Sequence, residues 1–328
     1  MTRVVEEFGT GFVHTTIAED GAGRYLWTRR PGPDRDGGVR RPHPLVERAV
    51  RAVSPGEVEL TLPEPADGDD ASAVTYRTAL PYAVAGMFLG AGGTGDRAPG
   101  DMEAVAAATL TEAAKALARL HAAAPPAVEL PGPGGPSRLL GWLRTGRAPR
   151  AGSHLHPQAA RMLGRDRMTA VEAWCVAAGR ERRVLLHGAP GHGILVPPVG
   201  GRGGALLTGE DLAAGLPEFD VGWLAGELVE FREAARRLGH GPLREIDYDG
   251  LIGHMVEGYG APLDLAVVGR SAVLRFFTHT HDFAAYVGWH DFLLGYLEIL
   301  ADVIDAVRAG EPISRAMVPY GTARAGAA

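Results

Sequence analysis

The sequence is poor in two residue types that often carry chemistry. Among its 328 residues Cys175 is the only cysteine, and among its 33 basic residues Lys115 is the only lysine. One cysteine excludes an internal disulfide and a thiolate metal cluster, since each needs more than one thiol. Cys175 is therefore expected to be a small buried apolar group rather than a reactive thiol. A site that normally uses lysine must use arginine here or have no cation.

Strong net charge and long apolar runs are also missing. The net charge of -6 disfavours non-specific binding to nucleic acid or to anionic lipid. No apolar run approaches the length of a membrane span, and no charged-then-apolar leader opens the chain. The chain is 46% apolar and 22% charged, which is typical of a globular protein with a sizeable core. We therefore expect a cytoplasmic protein that binds neither nucleic acid nor a membrane.

Strand signals come first along the chain, and helix signals dominate after them. Glycine and aspartate separate short apolar runs near the start, whereas later segments repeat apolar residues at helical spacing. Strands followed by helices predict an α+β fold rather than an alternating parallel sheet. The predicted strands are 3–8, 12–17, 25–29, 58–62, 74–82 and 184–186, and the predicted helices are 44–53, 101–123, 137–146, 157–178, 221–238, 251–259 and 283–308.

Two segments together carry a recognisable pattern. After the apolar strand at 184–186 come His187 and Gly188, a glycine-rich loop through Gly193, and an acidic motif that ends at Asp220 before an apolar helix. The helix at 101–123 ends in the residues Leu-Ala-Arg-Leu-His. This pattern resembles the catalytic core of the aminoglycoside phosphotransferase and choline-kinase-like family. The resemblance implies a bilobal protein-kinase-like fold, with a β-rich lobe at residues 1–90 and a helical lobe at 91–328 that carries the loop.

The residues that the family uses for its reaction are replaced at three positions. Ala189 stands where the family has its catalytic Asp, Ile194 where it has a metal-binding Asn, and Thr208 where it has a metal-binding Asp. Magnesium prefers hard oxygen ligands, usually carboxylates with phosphate and water. Alanine and isoleucine offer no oxygen, and threonine offers only a neutral hydroxyl. The sequence therefore predicts no metal site at these three substituted positions.

Other side chains near the motif are candidates for substitute roles. Glu210 and Asp211 follow Thr208 closely, and a shifted hairpin would present one of them to a cation; the alternative is solvated turn acids or the cap of a short helix. His192 in the loop is a candidate base or phosphate contact, and the alternative is an exposed loop histidine. In the family, the residues at His187 and Asp220 mainly support the loop, so we expect both to be architectural.

Candidates for holding a nucleotide lie in the first 50 residues. The family holds the nucleotide phosphates with a basic residue on the third strand, paired to a helix carboxylate. Arg29 and Glu47 are the best candidates for that pair, unless Arg29 lies on the outer surface. Gly9 and Gly11 flank Thr10 in what is either a tight turn over a nucleotide or a plain hairpin turn.

Histidine and aspartate are concentrated between residues 278 and 291. Without thiolates or a known ligand spacing, a transition-metal site is the less favoured interpretation. We expect the segment Thr278–Asp282 to shape the start of a helix. The resemblance places the acceptor site in the helical lobe, so it implies that Asp282, His281 and Trp289 contact a substrate or a partner.

Two functions remain open from the sequence. The favoured one is a phosphotransferase-like pseudokinase that binds or regulates, as a component of a biosynthetic or modification complex. Its partner would be a protein, a peptide or a small hydroxylated metabolite, and ATP would bind with weak or no magnesium, if at all. The alternative is a divergent, active, ATP-dependent phosphotransferase. The family phosphorylates hydroxyls of small molecules and, in some natural-product pathways, Ser or Thr of peptides.

Overall fold

The structure, a computed structural model, describes residues 3–66, 72–89, 99–180, 183–239, 243 and 245–317. A five-stranded antiparallel sheet forms the N-terminal part, with its strands in the order Arg3–Gly9, Val13–Glu19, Tyr25–Pro31, Val74–Thr78 and Glu64–Pro65. Ile17, Trp27 and Tyr76 lie side by side on three neighbouring strands and are almost completely buried. Such cross-strand apolar neighbours stabilise one face of a sheet. The strands are β1 (Arg3–Gly9), β2 (Val13–Glu19), β3 (Tyr25–Pro31), β5 (Glu64–Pro65) and β6 (Val74–Thr78).

A second sheet connects distant parts of the chain. Strand β4 (Val58–Thr61) pairs in parallel with β9 (Gly204–Leu207), which in turn pairs with β8 (Leu195–Val196). A two-stranded ladder joins β7 (Val184–Leu186) to β10 (Ala213–Gly215). These short strands hold both ends of the glycine-rich loop. The predicted lobe boundary at residue 90 lies outside the described residues, and the division into 1–90 and 91–328 stays a prediction.

Helices make up most of the rest of the described chain. The helices Pro217–Leu238 and Leu265–Tyr286 pack closely because the first carries glycine at two contact positions. A Cβ at Gly222 would lie 2.3 Å from Val268 O, and one at Gly226 would lie 2.6 Å from Ala272 O. The α+β prediction is confirmed: an N-terminal antiparallel sheet precedes a larger helical part. None of the described helices is long and apolar enough to cross a membrane. The helices are α1 (Pro44–Val53), α2 (Val84–Leu89), α3 (Pro99–Ala122), α4 (Gly134–Thr145), α5 (Gly152–Arg180), α6 (Pro217–Leu238), α7 (Tyr248–Tyr259), α8 (Leu265–Tyr286) and α9 (Phe292–Arg308).

The predicted helix at 283–308 was wrong in its bounds. Two helices meet there, because α8 ends at Tyr286 and α9 begins at Phe292, with Gly288 between them at a φ of 137°. The expectation that Thr278–Asp282 starts a helix was also wrong, since this segment lies inside α8. Most of its polar side chains are buried. The Thr280 hydroxyl donates to Phe276 O at 3.0 Å, whereas the Thr278 hydroxyl has no hydrogen-bond partner within the described ranges.

Candidate functional site

Asp220 fixes the beginning of the glycine-rich loop. It lies in the first turn of α6, is fully buried, and accepts hydrogen bonds from the backbone N–H groups of His187 (2.7 Å) and Gly188 (2.9 Å). Buried N–H groups need an acceptor, and the first turn of a helix favours an anionic side chain. In this structure Asp220 therefore holds the backbone where the loop begins.

His121, the last residue of the Leu-Ala-Arg-Leu-His sequence, completes the same network. Its Nε2 lies 2.9 Å from Asp220 Oδ2, and its Nδ1 lies 2.9 Å from the Tyr259 hydroxyl. The carboxylate only accepts, so Nε2 carries the hydrogen of that bond. Sequence reasoning recognised this helix ending but assigned no role to the histidine. We call His121, His187, Asp220 and Tyr259 the loop scaffold.

The imidazole of His187 is also used to hold backbone. Its Nε2 donates to Leu207 O at 3.1 Å, and its Nδ1 accepts from the Ala189 N–H at 3.4 Å. Burial lowers the pKa of His187 below its usual value, although Asp220 and Asp211 oppose that shift. The ring is therefore neutral near pH 7 with both nitrogens engaged, which leaves no free atom for acid–base work.

The three substituted positions, Ala189, Ile194 and Thr208, provide no free oxygen ligand. Ile194 packs half-buried against the core. The Thr208 hydroxyl is buried and donates to Leu206 O at 2.8 Å. The sequence contains no asparagine at all, so no asparagine from another position replaces the one that the family uses. Among the described residues, no group of three or more His, Cys, Asp or Glu could hold a metal ion. At the three substituted positions the side chains therefore offer no carboxylate or amide oxygen of the kind that magnesium prefers.

Glu210 is held in an ion pair rather than solvated in a turn. Arg35 donates to both of its carboxylate oxygens, at 3.1 and 2.5 Å, and the side chains of Arg35 and Glu210 are 12% and 9% exposed. A bidentate pair of this kind occupies both partners. The expectation of a solvated turn acid was therefore wrong for Glu210, and its carboxylate is not free for a cation.

Asp211 is the other acidic candidate and differs from its neighbour. Burial, and then the charge of Glu210, raise its pKa above the usual value, while Arg29, Arg138 and His187 oppose the rise. The charges of Arg29 and Arg138, which lie on separate elements, and of the adjacent Glu210 thus all act on the Asp211 carboxyl. Its role as a substitute catalytic group stays a prediction.

His192 is not an exposed loop histidine, as the alternative interpretation expected. His192 is fully buried. Its backbone N–H donates to Glu227 Oε2 at 2.9 Å, and its ring nitrogen Nδ1 lies 3.0 Å from the same oxygen. That nitrogen lies beside the carboxylate outside hydrogen-bond geometry, and Nε2 has no hydrogen-bond partner within the described ranges. Burial opposes ionisation of Glu227, but Arg275 and His192 outweigh it and lower its pKa. His192 thus anchors the loop to α6 and contacts no solvent.

The candidate nucleotide residues separate in space. Arg29 lies close to Tyr76 and Asp211. Burial raises the pKa of both groups, and the charge of Arg29 opposes that rise. Glu47 instead accepts from Arg41 at 3.0 Å. The predicted Arg29–Glu47 pair is not formed, because Glu47 has a nearer cation in the loop before its own helix. Whether Arg29 binds a nucleotide stays a prediction.

The Gly9–Gly11 turn is packed tightly against protein. A Cβ at Gly9 would lie 2.6 Å from His14 Cδ2, and one at Gly11 would lie 2.0 Å from Asp34 Oδ2. The Thr10 hydroxyl accepts from two following N–H groups in the turn. A side chain at either position would therefore have to displace His14 or Asp34, whether or not the turn also covers a nucleotide.

The histidine and aspartate cluster is divided between interior and surface. Asp282 accepts from Arg138 at 2.7 Å and lies 2.8 Å from the buried His281 ring. Burial opposes ionisation of Asp282, but Arg138 and His281 lower its pKa to about 2. Trp289 is 38% exposed and stacks edge-on against His154. Substrate or partner contact by Asp282, His281 and Trp289 stays a prediction.

This arrangement of an antiparallel sheet, a connecting hairpin region and a helical part defines a protein-kinase-like bilobal fold. An amicoumacin kinase in complex with AMP-PNP and Ca²⁺ is similar, with a TM-score of 0.57, 12% identity, and coverage of 95% of this chain and 90% of that chain. A Plasmodium vivax ethanolamine kinase has a TM-score of 0.53, 11% identity, and coverage of 94% and 84%. A choline/ethanolamine kinase family protein from Mesorhizobium loti has a TM-score of 0.50 and 15% identity, and the match covers 92% of this chain and 87% of that chain.

These similarities are structural. No protein-family model matches the chain, and no curated protein matches it. At identities of 11 to 15% the similarity shows the fold alone. The resemblance to aminoglycoside phosphotransferases and choline kinases is thereby confirmed at the level of the fold, and function has to be argued from the site.

Proposed function

We propose that this protein is a phosphotransferase-like pseudokinase, which uses the kinase-like fold for binding or regulation instead of phosphoryl transfer. The observation that carries the proposal is a contrast at one loop. The loop scaffold is completely hydrogen-bonded, while Ala189, Ile194 and Thr208 provide no carboxylate or amide at the positions that hold the reacting groups in kinases of this fold.

The nearby acids and bases give little support to ordinary kinase chemistry. Phosphoryl transfer depends on positioning and on the stabilisation of charge by metal ions and cations. A general base contributes roughly 100- to 10,000-fold in rate, and charge stabilisation usually contributes more. Glu210 is paired with Arg35, His192 is buried under the loop, and the Thr208 hydroxyl is bound to a carbonyl. A site that lacks both contributions is better suited to binding.

The proposed ligand is a protein or peptide partner, or a small hydroxylated metabolite, held between the two lobes. The charges of Arg29 and Arg138 act on Asp211, and groups of both signs suit a ligand with hydroxyl or charged groups. A nucleotide would bind there weakly and without a metal requirement. We place this activity in the cytoplasm, as part of a biosynthetic or modification complex.

The test is calorimetric titration with ATP, with and without Mg²⁺, alongside an ADP-release assay against a panel of amino alcohols, amino sugars and Ser/Thr peptides. We expect no metal-dependent turnover and no effect of Mg²⁺ on any ATP affinity. The matched variant carries Ala189→Asp, Ile194→Asn and Thr208→Asp together, and it should gain Mg²⁺-dependent ATP binding if it folds. Robust Mg²⁺-dependent turnover by the natural chain would overturn the proposal.

One observation favours the second candidate, a divergent active phosphotransferase. The raised pKa of Asp211 is a feature often found in catalytic acids and bases. In that case Asp211 would accept the proton of the attacking hydroxyl, and turnover would rise as the pH passes through the raised pKa. The isosteric variant Asp211→Asn would abolish turnover. If it left a measured turnover and its pH profile unchanged, the substitute role would be wrong.

A further inference from the structure

The turn between β1 and β2 contacts the end of a helix in the opposite lobe. The Gly11 N–H donates to Tyr286 O at 2.6 Å, and Tyr286 is the last residue of α8. The last carbonyl groups of a helix have no partner within the helix and need an outside donor. The N-terminal lobe supplies one of these donors, so the turn is bound at a fixed place on the helical lobe.

The next residue, Phe12, lies between groups from both lobes. Its ring centroid is 5.0 Å from that of Tyr286, and the guanidinium carbons of Arg35 and Arg138 lie 4.6 and 4.9 Å from it. A cation over an aromatic face is attracted by the ring quadrupole, more strongly when water is excluded. One aromatic ring therefore brings together two arginines that would otherwise repel each other.

Carboxylates neutralise these arginines across the same gap. Arg35 follows β3 and pairs with Glu210 beyond β9, while Arg138 on α4 pairs with Asp282. A third pair joins the lobes at the rim, where Arg150 Nε lies 2.6 Å from Asp34 Oδ2. Two of the three ion pairs therefore run directly from the N-terminal loop to the helical part. The Arg35–Glu210 and Arg150–Asp34 pairs would have to break before the lobes could separate, whereas the Arg138–Asp282 pair lies within the helical part.

Arg150 adopts an unusual backbone conformation at this contact. Its φ is 42°, and it is the one non-glycine residue with positive φ among the described parts of the chain. Such a conformation is costly for a residue with a Cβ and persists only where the surroundings enforce it. From it the guanidinium reaches both Asp34 and Val287 O, the latter at 3.1 Å. Strain and interlobe bonding thus coincide at one residue.

We propose that Gly11, Phe12, Asp34 and Arg35 form a latch that holds the lobes closed over the cleft, and that a ligand enters only after the latch is released. In kinases of this fold the corresponding loop lies over the nucleotide phosphates; here it is bound to protein groups. The latch is an autoinhibitory contact. It does not rest on the proposed function, because it would limit access to the cleft of a binding protein and of an active enzyme alike.

Hydrogen–deuterium exchange of the full chain tests the latch without any ligand. The variants are Arg35→Gln, which removes the charge, and Phe12→Leu, which keeps an apolar side chain but removes the π face. We expect exchange to become about tenfold faster, or about 1.4 kcal/mol, in the turn at residues 8–14 and equally in the cleft segments 183–191 and 208–213. The double variant should show less than the product of the single effects, since ring and guanidinium contact each other.

The control is Arg24→Gln, which breaks the Arg24–Asp20 pair at the other end of the same sheet. It should leave exchange in the cleft segments unchanged. If the latch variants accelerate exchange only in residues 8–14, or nowhere, the lobes do not open through this contact and the proposal is overturned. Should Phe12→Leu fail to fold, as judged by circular dichroism, Arg35→Gln decides the question, because Arg35 lies in a loop. Neither outcome bears on turnover, so the proposed function is tested separately.

Discussion

The loop scaffold and the three substituted positions lie within one short stretch of structure and are built in opposite ways. In the scaffold, four polar side chains are buried and hydrogen-bonded, and Asp220 alone accepts three of those bonds. At Ala189, Ile194 and Thr208, no charged group is present and the one hydroxyl is bound to the backbone. The difference teaches that the shape of this loop and its chemistry depend on separate residues.

The physical reason is the backbone. The buried N–H groups of His187 and Gly188 would have no acceptor without Asp220, and an unsatisfied buried polar group costs about 1–3 kcal/mol. The side chains of Ala189, Ile194 and Thr208 supply no such acceptor, because the one hydroxyl among them donates to Leu206 O. The shape of the loop therefore depends on Asp220 and not on these three side chains.

The largest expected effect that tests this comparison comes from Asp220→Ala. The substitution orphans two backbone N–H groups and His121 Nε2 together, and breaking a buried polar pair typically costs about 3–5 kcal/mol. Urea denaturation measures the change. The control Asp264→Ala, which removes the N-cap of α8, should cost only about 1 kcal/mol. If the two variants lost the same free energy of unfolding, the three hydrogen bonds of Asp220 would contribute no more than an ordinary N-cap.

A smaller effect concerns pH. Because burial lowers the pKa of His187, the folded protein keeps this ring neutral, whereas the unfolded chain protonates it near about 6.5. The unfolded state then binds more protons below that pH, so stability is full above it and falls as the pH decreases towards the folded pKa. Urea unfolding between pH 8 and pH 5 measures this slope. The His187→Gln variant should have a shallower slope, and an unchanged one would refute the assignment.

Tyr259→Phe should have a moderate effect. The variant keeps the ring and removes only the hydroxyl that bonds His121 Nδ1, a change worth about 1 kcal/mol. The urea midpoint should fall with no change in the slope of the transition. If the free energy of unfolding fell by less than a few tenths of a kcal/mol, the Tyr259 hydroxyl would not contribute to the loop scaffold.

The smallest effect is expected at the three substituted positions. Ala189→Ser places a hydroxyl on a half-buried side chain, and stability should stay within about 0.5 kcal/mol of the natural chain. Mg²⁺ should not raise the melting temperature of either protein, because a cation stabilises only a fold that binds it. A rise in melting temperature that depends on Mg²⁺ concentration would show that the protein binds the cation, and would contradict this prediction.

Local patterns in the sequence predicted much of the fold. The bounds of α1 and β7 agree with the predicted ones, since apolar spacing and flanking turn residues define both segments. Helix α8 was missed over most of its length because its buried face includes Thr278, Thr280 and His281. The Thr280 hydroxyl bonds to Phe276 O within the helix, and the His281 ring contacts Asp282 and the Trp142 ring. Polar residues can therefore lie on this buried face, and apolar periodicity does not reveal them.

The sequence predicted only those site residues that belong to a recognisable family motif. His187 and Asp220 were found through the resemblance, but the role of His121 depends on helices α6 and α7 meeting α3. The Arg35–Glu210 pair joins residues 175 positions apart, one of them in a Pro- and Gly-rich loop. No local pattern links two such charges, because the contact arises only when the lobes close on each other.

The parallel pairing of β4 with β9 has a consequence for synthesis on the ribosome. Residues Val58 to Thr61 bond to residues Gly204 to Leu207, which emerge much later. At a translation rate of roughly 5–20 residues per second, the earlier segment waits on the order of ten seconds for its neighbour. During that interval its hydrogen-bonding edge is open, so the nascent chain is most exposed to chaperones, and to misassembly, before the second half is made.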